Sequence, residues 1–144
     1  MNSQELQICS FEQAKRLKKA GFNWECDKLY VGKQCVRAGM EYFPLDRDVD
    51  TYSNWNDEGY QWNDGVEKEW ISAPTVALAL QFIENKFGII GTIRYDDEYD
   101  LFLYVYQRKG MQGSDVWFAN YYNNRQACES ALLDELLNIL EKEQ

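Results

Sequence analysis

Apolar positions recur along the chain with two different periods, and the change of period outlines its elements. Phe11, Ala14 and Leu17 share one helical face, whereas Lys15, Arg16, Lys18 and Lys19 point elsewhere. Ser10 precedes this stretch and Gln13 stands three residues on, the pattern of a capping box. Gly21 then offers a left-handed stop with Phe22 placed against Leu17, so a helix over 11–20 is predicted. Residues 28–37, KLYVGKQCVR, alternate loosely around Gly32 and read as a short hairpin. From Gly39 to Trp70 no period is evident. An excursion of that length in a compact domain is either functional or wrapped on the core.

Periodicity returns at Pro74, a residue favoured in a first helical turn. Val76, Leu80, Ile83 and Phe87 form a stripe widened by Ala77, Ala79 and Phe82, and Gly88 ends it. Three strands are predicted next, over 89–95, 101–107 and 116–122, separated by the polar turns 96–100 and 108–115. Turns this short impose an antiparallel meander. A last helix begins at Asn123 or Asn124 and runs to 142. Cys128, Leu132, Leu136 and Ile139 lie on one stripe, with Ala131, Leu133, Leu137 and Leu140 beside it. A face so wide calls for packing on a sheet.

The fold expected is therefore α+β. An antiparallel sheet of three strands, or slightly more, is covered on one face by the helices at 75–87 and 124–142. The C-terminal half takes the order α-β-β-β-α, helix 11–20 packs alongside, and the 41–70 excursion lies across an edge. At 144 residues the chain suits a single domain. Within it, 1–40 holds the helix and hairpin, 41–72 the excursion and 73–144 the core.

Composition narrows the chemistry. The chain has no histidine, which removes Ser-His-Asp and Cys-His machinery, histidine metal centres and a histidine general base together. Cys9, Cys26, Cys35 and Cys128 have no C-x-x-C spacing and read as free thiols. No secretory leader, membrane-spanning run or lipidation motif is evident, so a cytoplasmic protein is expected. No cofactor, metal site or catalytic residue is assigned.

Charge is unevenly spread. The net value is −9, which disfavours phosphate backbones and anionic membranes. Residues 11–37 nevertheless carry seven basic and three acidic side chains, and 41–69 carry nine acidic and two basic ones. Residues 41–70 also hold Tyr42, Phe43, Tyr52, Trp55, Tyr60, Trp62 and Trp70, and Trp55-Asn56-Asp57 recurs as Trp62-Asn63-Asp64. Aromatic side chains give large contact area at low entropic cost. Tyr52, Trp55, Asp57, Tyr60, Trp62 and Asp64 are accordingly the candidate binding residues for a basic protein partner. The alternative purpose of these rings is to anchor the excursion itself.

Weaker signals point elsewhere. Asp46, Asp48 and Asp50 resemble a calcium loop, but Thr51 stands where glycine is needed and Asp57 replaces the bidentate glutamate. Asp96, Asp97, Glu98 and Asp100 have the composition of a solvated turn, or of a carboxylate pair in a metal-assisted hydrolase. A nucleic-acid binder using the basic 11–37 region is the remaining alternative, against the overall charge.

The segments FEQAKRLKKAGFNWE, ISAPTVALALQFIENKFGI and NNRQACESALLDELLNIL resemble those of small uncharacterised proteins of phages, prophages and mobile elements from gut Bacteroidota-type bacteria. The resemblance implies a phage or mobile-element setting and carries no functional residue. Residues 73–142 are also similar in element order to the double-stranded-RNA-binding domain. Where that family has a lysine-rich helix start, this chain has Asn123-Asn124-Arg125-Gln126, with one base. The likeness supports architecture alone.

Overall fold

The computed structural model describes residues 7–37, 54–58, 60–63, 66–110 and 120–143. The protein is α+β, with helices packed on antiparallel strands. The chain divides into two compact units: Ile8–Thr75, and Met1–Gln7 together with Val76–Gln144. Each has its own sheet.

The unit Ile8–Thr75 begins with helix α1 (Phe11–Lys19). Its start is the expected capping box: the Gln13 N–H donates to Ser10 Oγ at 3.1 Å, and the Ser10 N–H donates to Gln13 Oε1 at 2.9 Å. Its end is equally as expected. Gly21 adopts φ 93°, and the Phe22 N–H reaches the Leu17 carbonyl at 2.9 Å. Ala14 and Leu17 are buried, and α1 packs on strand β4 (Val66–Ser72).

Strands β1 (Lys28–Val31) and β2 (Gln34–Arg37) form the anticipated hairpin, with Val31 opposite Gln34. Gly32 takes φ 61°, the left-handed value required at the first position of such a two-residue loop. β4 pairs antiparallel with β1, placing Tyr30 opposite Ile71, and on its other side with β3 (Tyr60–Asn63). The sheet order is β2-β1-β4-β3. A one-turn helix, α2 (Trp55–Glu58), precedes β3 and packs on β4.

The excursion read as aperiodic thus contains two strands and a helical turn. Alternation fails at β4 because Trp70, Ile71 and Ser72 are buried in succession, so both faces of the strand are covered at that end. A strand buried on both faces shows no polar–apolar period.

The second unit contains α3 (Val76–Phe87), β5 (Ile89–Asp96), β6 (Leu101–Arg108) and α4 (Arg125–Lys142). α3 ends at Gly88, with φ 73°. α4 is capped by Asn124, whose side chain accepts from the Ala127 N–H at 2.8 Å. Both helices pack on the strands, and Leu132, Leu133, Leu136 and Leu137 of α4 are fully buried. Most of the third predicted strand lies outside the described residues. Its last residue, Tyr122, exchanges both backbone hydrogen bonds with Phe102 at 2.7 and 2.8 Å, in the antiparallel sense.

Glycine at one position sets how near α4 approaches the sheet. A Cβ added at Gly91 would meet Leu132 Cδ2 at 2.7 Å. Only a residue without a side chain permits that approach. Among the described residues, no helix is long and apolar enough to cross a membrane.

Candidate interaction surface

The residues nominated from the acidic excursion separate once placed. Trp55 is a core side chain, with no exposed surface. Its indole N–H donates to the Cys26 carbonyl at 2.7 Å, and its ring meets Trp70 edge-on at 5.7 Å between centroids. Asn56 continues the clamp. Its Nδ2 donates to the Phe22 carbonyl at 2.8 Å, and its Oδ1 accepts from the Ser72 N–H at 2.9 Å. Three backbone groups from separate parts of the unit are satisfied by this one dipeptide.

The first Trp-Asn-Asp copy therefore ties α2 to the loop before β1 and to β4. Trp55 does not stand on a surface where a partner could grip it. Trp62 and Tyr60 lie on β3, in register opposite Glu67 and Glu69 of β4, and Asp57 lies in α2. Tyr52 and Asp64 lie outside the described residues, as do Asp46, Asp48 and Asp50.

The cysteines are free, and Cys9, Cys26 and Cys128 are buried. Burial pushes the Cys9 thiol up to about 12, with the neighbouring Cys26 and Cys35 adding to the effect. Burial also raises Cys26 and Cys128. Thiols held protonated in this way are poor nucleophiles. No group of three or more Cys, Asp or Glu side chains is placed to hold a metal ion among the described residues.

The basic region 11–37 is partly neutralised locally. Lys18 pairs with Glu69 across the unit, Lys15 lies 3.7 Å from Glu12, and Arg37 lies 3.5 Å from Asp27. Counter-ion release needs basic groups that are available to phosphate.

The second unit carries an exposed aromatic surface that the sequence analysis did not select. In the β5–β6 ladder Gly91 faces Tyr106, Ile93 faces Tyr104 and Tyr95 faces Phe102. Directly opposed residues share a face of the sheet. Gly91 meets Leu132, so this column lies under α4. Along it, Arg108 pairs with Glu143 near the end of α4, and the Tyr106 hydroxyl lies 3.2 Å from Glu135 Oε2. Tyr104 is buried beside Tyr122, with ring centroids 6.2 Å apart.

Further along the column α4 has not yet begun, and the strands outrun their cover. Tyr95 is consequently 54% exposed, and Tyr99 in the turn and Tyr121 before α4 are 62% and 45% exposed. The rings are organised: Tyr95 packs on Phe102 at 5.3 Å, and Tyr99 packs edge-on against Tyr121 at 6.3 Å. The Tyr95 hydroxyl donates to Asp100 Oδ1 at 2.6 Å, and Asp100 is held at φ 55°. That hydrogen bond raises the phenol pKa, so the ring stays neutral and fixed.

Asp96, Asp97, Glu98 and Asp100 are neighbours of Tyr95 and Tyr99 in sequence, and of them Asp100 is bonded to Tyr95. The Asp96 carboxylate accepts from the Glu98 N–H at 3.0 Å and shapes the turn. The only sequence signal for the surface was Tyr99 inside an acidic turn. The exposure of Tyr95 depends on where α4 starts, and strand patterning does not report that.

Comparison with protein-family models, with curated proteins and with solved structures gives no match for this chain.

Proposed function

We propose that the protein is a non-catalytic interaction protein, which docks a basic segment of a protein partner on the acidic tyrosine surface at the β5–β6 turn. The observation that carries this reading is the pair of exposed ring contacts by the β5–β6 turn, Tyr95 on Phe102 and Tyr99 on Tyr121, with the Asp100 carboxylate bonded to Tyr95 and three further acids in the same turn sequence. Exposed large apolar residues scattered singly need no explanation, whereas exposed rings packed against one another call for one. Tyrosine is favoured at the centres of protein interfaces, because it buries a large ring with few rotatable bonds.

Charge selects the partner's chemistry. A guanidinium stacks on a tyrosine face and pairs with a neighbouring carboxylate, so an arginine-bearing segment satisfies both features at once. The carboxylates steer such a segment toward the rings. A phage or mobile-element setting rests on the sequence resemblance, and a cytoplasmic location belongs to the same reading.

The test is an NMR titration of the protein with a short arginine- and glycine-rich peptide. Amide shifts are expected to concentrate at residues 95–102 and 120–122 and to weaken as salt rises. The variant Tyr99→Ser/Tyr121→Ser removes two exposed rings without touching the core and should bind several-fold more weakly, with an unchanged melting temperature. Equal binding by this variant, or equal binding of an acidic peptide of the same length, would refute the proposal.

A further inference from the structure

The hydrogen-bond phase of the second sheet shows which way each backbone group of β5 points. The Lys109 N–H donates to the Gly88 carbonyl at 2.8 Å, so this opposed pair is a bonded position of the ladder. Bonded positions recur at every second residue, which gives Ile90/Gln107, Thr92/Val105, Arg94/Leu103 and Asp96/Leu101. The alternate residues of β6 must then bond outward, and Phe102 does so, to Tyr122. By the same phase Ile89, Gly91, Ile93 and Tyr95 turn their N–H and C=O groups to the far edge of β5. Among the described residues, no strand lies along that edge, and the outward groups of Gly91, Ile93 and Tyr95 meet no backbone partner.

Among the described residues no strand covers this edge, and its charge is limited to Arg94 and the terminal Asp96. Ile89–Asp96 reads IIGTIRYD, eight residues rich in β-branched side chains, without proline or lysine. Proteins ordinarily shield such edges with charge, proline, bulges or cover. The outward N–H and C=O groups are thus a template on which a further strand can pair.

We infer that β5 pairs antiparallel with β5 of a second copy of the chain, about a two-fold axis at Thr92. The strand is self-complementary in that register. Thr92 meets Thr92 of the second copy at a non-bonded position, Gly91 meets Ile93, Ile90 meets Arg94 and Ile89 meets Tyr95. No like charges oppose one another, and threonine across from threonine is a favourable pair. The outward groups of residues 89, 91, 93 and 95 supply about eight inter-copy hydrogen bonds. Shifting the axis to residue 94 would set arginine against arginine, which disfavours that register. The association is isologous and closed, as a two-fold dimer requires. It joins the two-stranded sheets into one and sets the two copies of Tyr95 about 20 Å apart along the pair, six residues of strand rise.

Sedimentation equilibrium on the full chain, followed by cysteine cross-linking, tests this. The wild-type protein should be dimeric at micromolar concentration, and Thr92→Lys, which groups four like charges on one face, should weaken association roughly tenfold. In a Cys35→Ser background, Thr92→Cys should form a covalent dimer under mild oxidation. Opposed non-bonded positions lie about 4.5 Å apart at Cα, within disulfide reach. Arg94→Cys should not cross-link, because its counterpart lies about 14 Å away along the strand. A protein that remains monomeric to about 1 mM, a range in which specific interfaces assemble, would overturn the inference. So would cross-linking of Arg94→Cys as readily as Thr92→Cys, or failure of Thr92→Cys to cross-link in a dimeric protein.

Discussion

Trp55→Phe separates a structural tryptophan from a recognition residue more sharply than any other substitution in this chain. Phenylalanine retains most of the ring that packs edge-on against Trp70 at 5.7 Å, but it has no N–H. The Cys26 carbonyl, which now receives the indole N–H at 2.7 Å, loses that donor inside the core. Leaving a buried acceptor without its partner costs about 1–3 kcal/mol. The smaller ring also leaves a void beside Trp70, which adds to the loss at about 24 cal/mol per Å3 of residual cavity. The net expectation is a destabilisation of about 2–4 kcal/mol, a large share of the ~5–15 kcal/mol typical of a domain. Urea denaturation followed by far-ultraviolet circular dichroism reads this directly, as a lower midpoint at an unchanged slope. Binding of the arginine-rich peptide by the folded variant should match wild type. A Trp55→Phe protein within about 0.5 kcal/mol of wild type, the ordinary range for surface substitutions, would refute the clamp.

Gly91→Ala should destabilise the protein by about 1–2 kcal/mol in the same assay, because the new methyl would sit 2.7 Å from Leu132 Cδ2 in a fully packed region. Combining it with Leu132→Val should recover part of the loss, and strictly additive effects would count against the contact. Alkaline stability is the other expectation. Cys9 is pushed up to about 12 from its ordinary 9.0, so the folded chain keeps a proton that the unfolded chain releases. The contribution is complete below pH 9 and is lost as pH rises toward 12, at up to about 1.4 kcal/mol per pH unit. Urea melts at pH 8 and pH 10 should differ in this sense, and Cys9→Ala should flatten the difference.

Elements governed by local chemistry are legible in the sequence. Ser10, Gln13 and Gly21 bracket α1 through hydrogen bonds within a few residues of one another, so the residues themselves encode its ends. The same holds for the Gly32 hairpin, for the Gly88 stop and for the wide leucine face of α4. The exposed tyrosine surface was less accessible. Nothing in the local pattern of Trp55 reports that it is fully buried, because Cys26 and Trp70, which it meets, lie far off in sequence.

What the amino-acid sequence determined alone was helices α1, α3 and α4, the β1–β2 and β5–β6 hairpins, the absence of histidine chemistry and the uneven distribution of charge. Tertiary structure alone decided the division into two units, the strands inside the acidic excursion and the exposure of Tyr95, Tyr99 and Tyr121. The reason is the range of the interactions concerned. Caps and turns are satisfied by neighbours along the chain, whereas burial depends on which remote element arrives to cover a side chain. An aromatic residue carries the same local pattern whether it fills a core, as Trp55 does, or lies short of the first turn of the helix above it, as Tyr95 does.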